Sequence, residues 1–237
     1  LTSPDNLYSK AVHVKNTWGK RCNVLLFASD SYDPSFPTIN ISVQGGVEHL
    51  VDKTLATFQY IYQHHLDDAD WFLKADDDTY VILENLRFFL SEEDANEPTM
   101  FGSHYMVGSK HGFMSGGAGY VISKEALRKF GVVNSPMCRN VDSFAEDIFW
   151  TECMVSSGVR LGDSRDSLGR TRFHCQDVNN SVHKTGPEWT LQHSKYGPNN
   201  SVSDCAISFH YISPHMMHTL DYLIYDLKPY GVLNGLC

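Results

Sequence analysis

No apolar run in the 237 residues approaches the length of a membrane span, and no secretory leader is visible. That excludes a span within these residues and fits a trimmed soluble fragment of a longer chain. Positive charge is scarce: 19 Lys and Arg stand against 28 Asp and Glu, a net charge of −9. This balance argues against nucleic acid as the main partner, because phosphate binding needs a basic surface. There is no internal repeat and no low-complexity segment. None of the six cysteines stands at CxxC spacing, so structural zinc is not expected. The glycines form no GxGxxG fingerprint, and no phosphate loop follows from them. What is there is a globular composition, 42% hydrophobic and 12% aromatic, long enough for one large domain with a sizeable core.

Strand and helix patterns alternate along the first half. Ser3 as a cap and Pro4 in the first turn open a helix in which Leu7, Ala11, Val14 and Trp18 share a face. Residues 24–28 read as a short buried strand ending at Ser29 and Asp30. Ile39, Ile41 and Val43 alternate with polar residues, which suggests a half-exposed strand. Val51, Leu55, Phe58 and Tyr62 line a helix. Trp71 to Leu73 is another buried strand; it runs into Asp76-Asp77-Asp78 and then the helical spacing of 81–90. The alternation predicts an α/β fold with a mostly parallel, helix-covered sheet. Because the chain starts on a helix, the strand expected before it reads as missing at Leu1. In the second half Ser123 caps a helix containing Ala126, Leu127 and Phe130, stopped by Gly131. Ser143 to Glu146 has capping-box spacing and opens a helix that buries Phe149, Trp150, Cys153 and Met154. Residues 163–205 lack periodicity and read as long loops. Residues 206–211 read as a strand, and Leu220, Leu223, Ile224 and Leu227 as one helix face.

Three adjacent carboxylates at a strand's carboxyl end stand where open α/β sheets place ligands. They repel one another, so they are either a solvated turn or a site with a compensating cation. Oxygen ligands beside phosphate suit magnesium or manganese. Gly116, Gly117 and Gly119 precede a β-rich run. They form either a turn or a place where backbone approaches a ligand closely. Glu146 reads as the return bond of the capping box. Asp147, in a helix first turn where the dipole favours its charge, reads as a general base or as a routine first-turn acid. Trp189 is either a lid or a ring for stacking, and His210 taken alone reads as a core histidine. Six cysteines and three Asn-x-Ser acceptors, at Asn40, Asn179 and Asn199, favour an oxidising lumen or the cell exterior.

The stretches LKADDDTYVILENL, MSGGAGYVISKEAL, AEDIFWTECM, GDSRDSLG and ISFHY through LIYDLKPYG together resemble family 31 glycosyltransferases of the GT-A fold, which has a Rossmann-like, mostly parallel central sheet. Within that family they look most like the core 1 β1,3-galactosyltransferase type. The resemblance implies a single catalytic domain over residues 1–237, in the Golgi lumen, anchored to the membrane only through a missing amino-terminal segment, with a homodimer as the assembly. It implies an inverting transfer of galactose from UDP-galactose to GalNAc on glycoproteins, with Mn²⁺ as cofactor. Asp78 and His210 become metal ligands and Asp147 the catalytic base. Asp76, Asp77, Lys74, Gly116 and Gly117 fall on the donor side, with Lys15, Ser29 and Asp30 toward uridine. Glu146, Trp189 and Tyr196 fall on the acceptor side. Fringe-like transfer of GlcNAc to fucose, or a non-catalytic chaperone paralogue, are the other functions the resemblance admits. The paralogue lacks the acidic motif, whereas Asp76-Asp77-Asp78 is intact here.

Residues 171–203 depart from the family. The aromatic run expected there is replaced by residues 187–196, in which only Trp189 and Tyr196 match. Cys138 and Cys153 are expected to pair across the turn that opens the Asp147 helix. Cys175 and Cys205 are expected to form a second bridge, with Cys22 left for a cysteine in the missing strand or for Cys237.

Overall fold

The structure is a computed structural model and describes residues 1–133, 135–139, 143–197 and 201–230, with only the backbone of Leu191. The chain begins on a 3₁₀ turn, Pro4–Asn6, a π turn, Leu7–Ala11, and the helix α1, Val12–Asn16. Leu7, Ala11, Val14 and Trp18 are all buried, as their spacing requires. Ser3 stands at the cap position, but its hydroxyl makes no capping bond, contrary to expectation. β1, Phe27–Ser29, pairs in parallel with β2, Thr38–Asn40, setting Ala28 opposite Ile39. Helix α2, Leu50–His64, follows and leads into β3, Trp71–Lys74, then β4, Tyr80–Val81, and α3, Leu83–Leu90.

The largest sheet holds four strands in the order β3-β8-β5-β9: β3, then β8, Tyr120–Ser123, then β5, Thr99–Gly102, then β9, Arg160–Leu161. β8 is antiparallel to both β3 and β5, and only β5 and β9 run parallel. The mostly parallel sheet is therefore corrected to small, mixed sheets. The cause is connectivity. Parallel neighbours need long crossovers, whereas the chain between β5 and β8 reverses through a short antiparallel ladder, β6, His104–Tyr105, with β7, Phe113–Met114. A three-stranded sheet in the order β10-β11-β4 closes the far side, with β10, Phe173–His174, and β11, Ser208–Phe209.

Alternation along β5 and β8 divides the core. Met100, Tyr120 and Ile122 face α2 together with α4, Lys124–Val132, and α5, Glu146–Ser156. Phe101 and Val121 face the opposite core with Trp18, Phe89 and Phe209. Trp150 of α5 stacks on Phe58 of α2 at 4.3 Å and meets Phe130 of α4 edge-on at 5.0 Å. This aromatic clamp fixes α5, and with it the carboxylates at its start, against the sheet. Gly131 does not stop α4, which runs to Val132. A Cβ there would lie 2.4 Å from the Tyr62 ring, so the glycine admits α2 instead. The segment 163–205 contains two short helices, α6, Val178–His183, and α7, Glu188–Gln192. The strand expected over 206–211 is only Ser208–Phe209. Helix α8, Pro214–Asp221, capped by Ser213, passes into a π turn, Tyr222–Asp226.

Leu1 and Thr2 lie between the ends of β3 and β1, donating to the carbonyls of Ala75 (2.6 Å) and Ala28 (3.1 Å). Behind them a cavity of about 570 Å³ separates the two strands, lined by Phe27, Trp71, Leu73, Leu83 and Leu86 among others. Asp78, Gly116, Asp147 and His210 do not line it. It is a largely apolar space behind the acidic turn, bordered by Lys74, Asp76 and Asp77 but not by Asp78 or Asp147.

Cys138 and Cys153 form the expected disulfide, fastening the loop before α5 to that helix. The expected Cys175–Cys205 bridge does not form: Cys175 is a buried free thiol, and Cys205 is disulfide-bonded to a cysteine other than Cys175. Cys175 Sγ instead sits 2.7 Å from the Tyr105 hydroxyl, held by β6. Cys22 is a free, half-buried thiol whose pKa burial pushes up to about 11. Cys237 lies outside the described residues. Alkylation of the native protein should leave Cys175 unmodified, whereas denaturation without reductant should expose it. Non-reducing peptide mapping should recover Cys138 joined to Cys153, and a peptide joining Cys175 to Cys205 would overturn the assignment. Opening the Cys138–Cys153 loop should cost about 3 kcal/mol of stability on the chain-entropy account.

Candidate functional site

The acidic turn leaves β3 at Lys74 and re-enters the fold at β4. Lys74 is buried, and its ammonium lies 2.8 Å from Asp76 Oδ1 and 3.5 Å from Glu146 Oε2 while donating to the Gly116 carbonyl at 3.2 Å. Burial would lower its pKa, but the charges of Asp76 and Glu146 more than offset that, and the pKa is raised. Asp77 is buried and accepts from the Thr2 hydroxyl at 2.8 Å; burial raises its pKa. Lys10, on the first helical stretch, reaches Asp77 at 3.7 Å and Asp78 at 3.8 Å. Each carboxylate of the triplet thus has a lysine, and Lys10 is a site residue that the sequence reading missed. Nothing local marks it, since its partners stand some seventy positions away along the chain.

Asp78 Oδ1 lies 3.2 Å from His210 Nε2. Burial alone would raise the Asp78 pKa, but His210 and Lys10 hold it below the usual value. Tyr211 adopts the left-handed region at φ 53°, which is costly for a residue with a Cβ. That turn stacks its ring on His210 at 3.9 Å and lets Ile212 N–H donate to the Asp78 carbonyl at 2.8 Å. The His210 ring rests on the backbone of Gly117. A Cβ at 117 would stand 2.2 Å from the imidazole, so only glycine fits beneath it. The reading of His210 as a satisfied core histidine is replaced by a half-buried imidazole aimed at the acidic turn.

Gly116 faces the other way. A Cβ there would meet Glu146 Oε2 at 2.7 Å and Lys74 Nζ at 3.1 Å. Its N–H donates to Asp147 Oδ2 at 3.2 Å. The capping box expected at Ser143–Glu146 does not form. Ala145 holds the cap position, and the Ser143 hydroxyl accepts from Ala145 N–H instead. Glu146 turns inward, buried, and accepts from the Tyr120 hydroxyl at 2.7 Å. Burial in the lee of the Lys74 cation wins over a surface cap because a paired carboxylate can be buried. Asp147, next along the chain, has its pKa pushed up to about 6 by burial and by the Glu146 charge, against the opposing pull of Gly116 N–H and Lys74.

The remaining expected residues are spread more widely. Asp30 Oδ1 lies 3.6 Å from Lys53 Nζ, which donates to the Thr2 carbonyl at 2.7 Å, so Asp30 and Asp77 are tied through Lys53 and Thr2. Ser29 is fully buried, its hydroxyl accepting from Ser31 N–H. Lys15 is not brought to the acidic turn. It donates to the Ser35 carbonyl and lies over the Phe36 ring at 4.7 Å; the lysine of this stretch that reaches the acidic turn is Lys10. Trp189 is 44% exposed and tilts against Tyr105 at 5.3 Å. Tyr196 lies under the Arg165 guanidinium at 3.8 Å, and burial pushes its phenol up to about 12.

Among the described residues no group of three or more His, Cys, Asp or Glu converges as a complete metal cage. Asp78 Oδ1 and His210 Nε2 nevertheless stand 3.2 Å apart. Neighbouring donors on one octahedral ion at ~2.1 Å lie about 3 Å from each other. A hard divalent ion commonly takes one or two protein ligands and fills its shell with phosphate and water. The Asp78–His210 pair fits such an ion.

Asp147 carries a stability signature of its own. Its folded pKa, about 6, lies above its ordinary 3.8. Its contribution is therefore full below 3.8 and is lost as pH rises through about 6. Asp147→Asn, which cannot ionise, should match the wild type at pH 3.5 and exceed it at pH 7.5. The gain should be up to about 3 kcal/mol. Urea melts at the two pH values check this, and a variant less stable at pH 7.5 would sink the reading of a strained carboxylate.

The Fringe-like family profile matches residues 8–157, from the first helical stretch to the end of α5. The glycoprotein-N-acetylgalactosamine 3-beta-galactosyltransferase 1 of Xenopus laevis is 43% identical over 240 aligned positions, covering 98% of this chain and 66% of its own length. A mouse beta-1,3-glucosyltransferase is 29% identical over 154 positions, 64% of this chain and 31% of its own. Mouse chondroitin sulfate synthase 3 is 25% identical over 178 positions, 67% of this chain and 20% of its own. The chain thus spans just under two thirds of the Xenopus relative and less than a third of the other two. The matched stretch holds the acidic turn, the glycine pair and the carboxylates of α5, and on that match the chain belongs to the Fringe-like family, glycosyltransferase family 31.

Proposed function

We propose that the chain is the catalytic part of an inverting glycosyltransferase of the Golgi lumen. It moves galactose from UDP-galactose, in β1,3 linkage, to O-linked GalNAc on Ser or Thr of glycoproteins. The near-full-length likeness to the Xenopus galactosyltransferase supports this choice of donor and acceptor. The observation that carries the chemistry is the pair of adjacent glycines. Gly116 holds Asp147 by its N–H, and Gly117 lies under His210 beside Asp78. This arrangement supports a base at one end of a narrow floor and an ion-binding pair at the other.

Inversion requires one base on the face opposite the leaving group. Asp147 takes the proton from the acceptor hydroxyl as its oxygen bonds to the anomeric carbon, while the bond from that carbon to the UDP oxygen breaks. A carboxylate pushed up to about 6 is both ionised near neutral pH and basic enough to accept a proton. Asp78 and His210 would hold Mn²⁺, whose charge stabilises the departing diphosphate. Asp76, fastened by Lys74, is placed for the donor's ribose side. Trp189, the exposed ring beside Tyr105, offers a stacking surface for the acceptor sugar. Asn40 and Asn179 are exposed and free to carry glycans in the lumen; Asn199 lies outside the described residues.

Transfer to a GalNAc-peptide should require UDP-galactose and Mn²⁺, with UDP-glucose and UDP-GlcNAc as poor donors. Asp147→Asn should keep Mn²⁺/UDP affinity and lose roughly 10²–10⁴ in turnover. Asp78→Ala and His210→Ala should each weaken Mn²⁺-dependent UDP binding in calorimetry. Wild-type turnover in a folded, UDP-binding Asp147→Asn protein would rule out the base. Unchanged Mn²⁺/UDP affinity in both ligand variants would rule out the ion site.

A further inference from the structure

Beneath the glycine floor three side chains do no chemistry in the reaction just described, yet they are among the most enclosed polar groups in the molecule. Tyr120 is completely buried, Glu146 and Lys74 nearly so. They come from three separate elements: β8, the start of α5, and the end of β3. The Tyr120 hydroxyl donates to Glu146 Oε1 at 2.7 Å, and Glu146 Oε2 faces Lys74 Nζ at 3.5 Å. Lys74 in turn grips Asp76 at 2.8 Å and the Gly116 carbonyl at 3.2 Å. The same Gly116 peptide donates its N–H to Asp147. A Cβ at Gly116 would strike both Glu146 and Lys74, so they fill the space directly under the floor.

We propose that Tyr120, Glu146 and Lys74 are positioning residues for Asp147, a buried strut that fastens the base helix to the acidic turn without touching substrate. The inference rests on Asp147 being the base, and it assigns to Glu146 and Lys74 roles other than sugar contact. A strut of this composition also sets how firmly Asp147 holds its proton. Glu146, the adjacent negative charge on its own helix, favours the protonated acid; Lys74 from β3 and the Gly116 amide favour the carboxylate. The other titratable groups near it are the Tyr120 phenol from β8, which burial and Glu146 keep neutral, the Cys175 thiol after β10, and Asp76 beyond Lys74. The Tyr120 hydroxyl holds Glu146 at its post by donating to Oε1, and the Lys74 ammonium faces its other oxygen, so the carboxyl group stays buried with both oxygens partnered.

The test is the titration of the Asp147 carboxyl carbon by ¹³C NMR in Asp-labelled, metal-free protein, identified by its absence from Asp147→Asn. The wild-type midpoint should fall near 6. Glu146→Gln should lower it by about one pH unit or more, and Lys74→Met should raise it. The acid limb of kcat should move in the same directions, with the KM for donor little altered by Glu146→Gln. Tyr120→Phe keeps the ring against Trp150 and Phe58 and loses only the hydroxyl. It should slow turnover in the wild type but not in the Glu146→Gln background, because the hydroxyl acts only through Glu146. If Lys74→Met fails to fold, Glu146→Gln and Tyr120→Phe decide. An Asp147 midpoint unmoved in Glu146→Gln, or equal effects of Tyr120→Phe in both backgrounds, would overturn the strut. Loss of the base role alone would show differently, as full turnover in Asp147→Asn with the midpoint shifts intact.

Discussion

The buried ammonium of Lys74 is the constraint on which the site depends. It ends the edge strand of the main sheet, and three different segments close on it: the acidic turn through Asp76, the glycine floor through the Gly116 carbonyl, and helix α5 through Glu146. In a low-dielectric interior one cation shared by two carboxylates is tolerable only when geometry and hydrogen bonds are good. Here the Tyr120 hydroxyl supplies the further bond that Glu146 needs. Taking the cation away would leave Asp76, Glu146 and Asp147 as neighbouring buried or half-buried negative charges. The site would then lose its shape and its proton affinity together.

The absence of side chains at 116 and 117 makes the rest possible. Each glycine brings a polar group within contact of main chain, Glu146 and Lys74 on one side and the His210 imidazole on the other. The backbone groups between them are also in use: Gly116 N–H on Asp147, and the Gly117 carbonyl on the Thr79 hydroxyl at 2.8 Å. Two carboxylates that would otherwise stand at unrelated points, Asp78 after β3 and Asp147 on α5, are thereby referred to one short piece of chain. A methyl group at either position would push apart groups whose work depends on separations of about 3 Å.

Much of this was legible in the sequence, and what was not has a common cause. The strand before Asp76, most of the helix expected over 81–90 (found as Leu83–Leu90) and the first turn holding Asp147 follow from local periodicity and composition, although Trp71, Phe72 and Leu73, expected to be buried, are only half-buried on their edge strand. The Cys138–Cys153 bridge also stands as expected. Sheet direction was misread because strand–helix alternation does not reveal a connection that reverses through β6 and β7. Glu146 was misread because Ser-x-x-Glu spacing is the same whether the glutamate turns back to the cap or inward to a lysine seventy-two positions earlier. Lys10 and Tyr120 were not visible as site residues at all. Their significance lies in partners far away in the chain, and no window of sequence contains both halves of such a pair. The Cys175–Cys205 pairing failed for the same reason, since Cys175 is held against Tyr105 of β6 by the fold.

Two parts of the structure are built differently. Around the acidic turn and the glycine pair, mostly within the family-matched residues 8–157, lies a network of charged side chains in which each fixes the next. Residues 187–197 are attached mainly by backbone: Met106 N–H donates to His193 O at 2.7 Å and Lys195 N–H to His104 O at 3.0 Å. Main-chain pairing places the segment beside β6 whatever its side chains are. Trp189 and Tyr196 can therefore change without disturbing Asp147 or the acidic turn, whereas Glu146 or Lys74 cannot. The fold thus separates a charge network around the glycine pair, where one substitution disturbs the rest, from a strap held mainly by its backbone, where side chains can vary with less consequence.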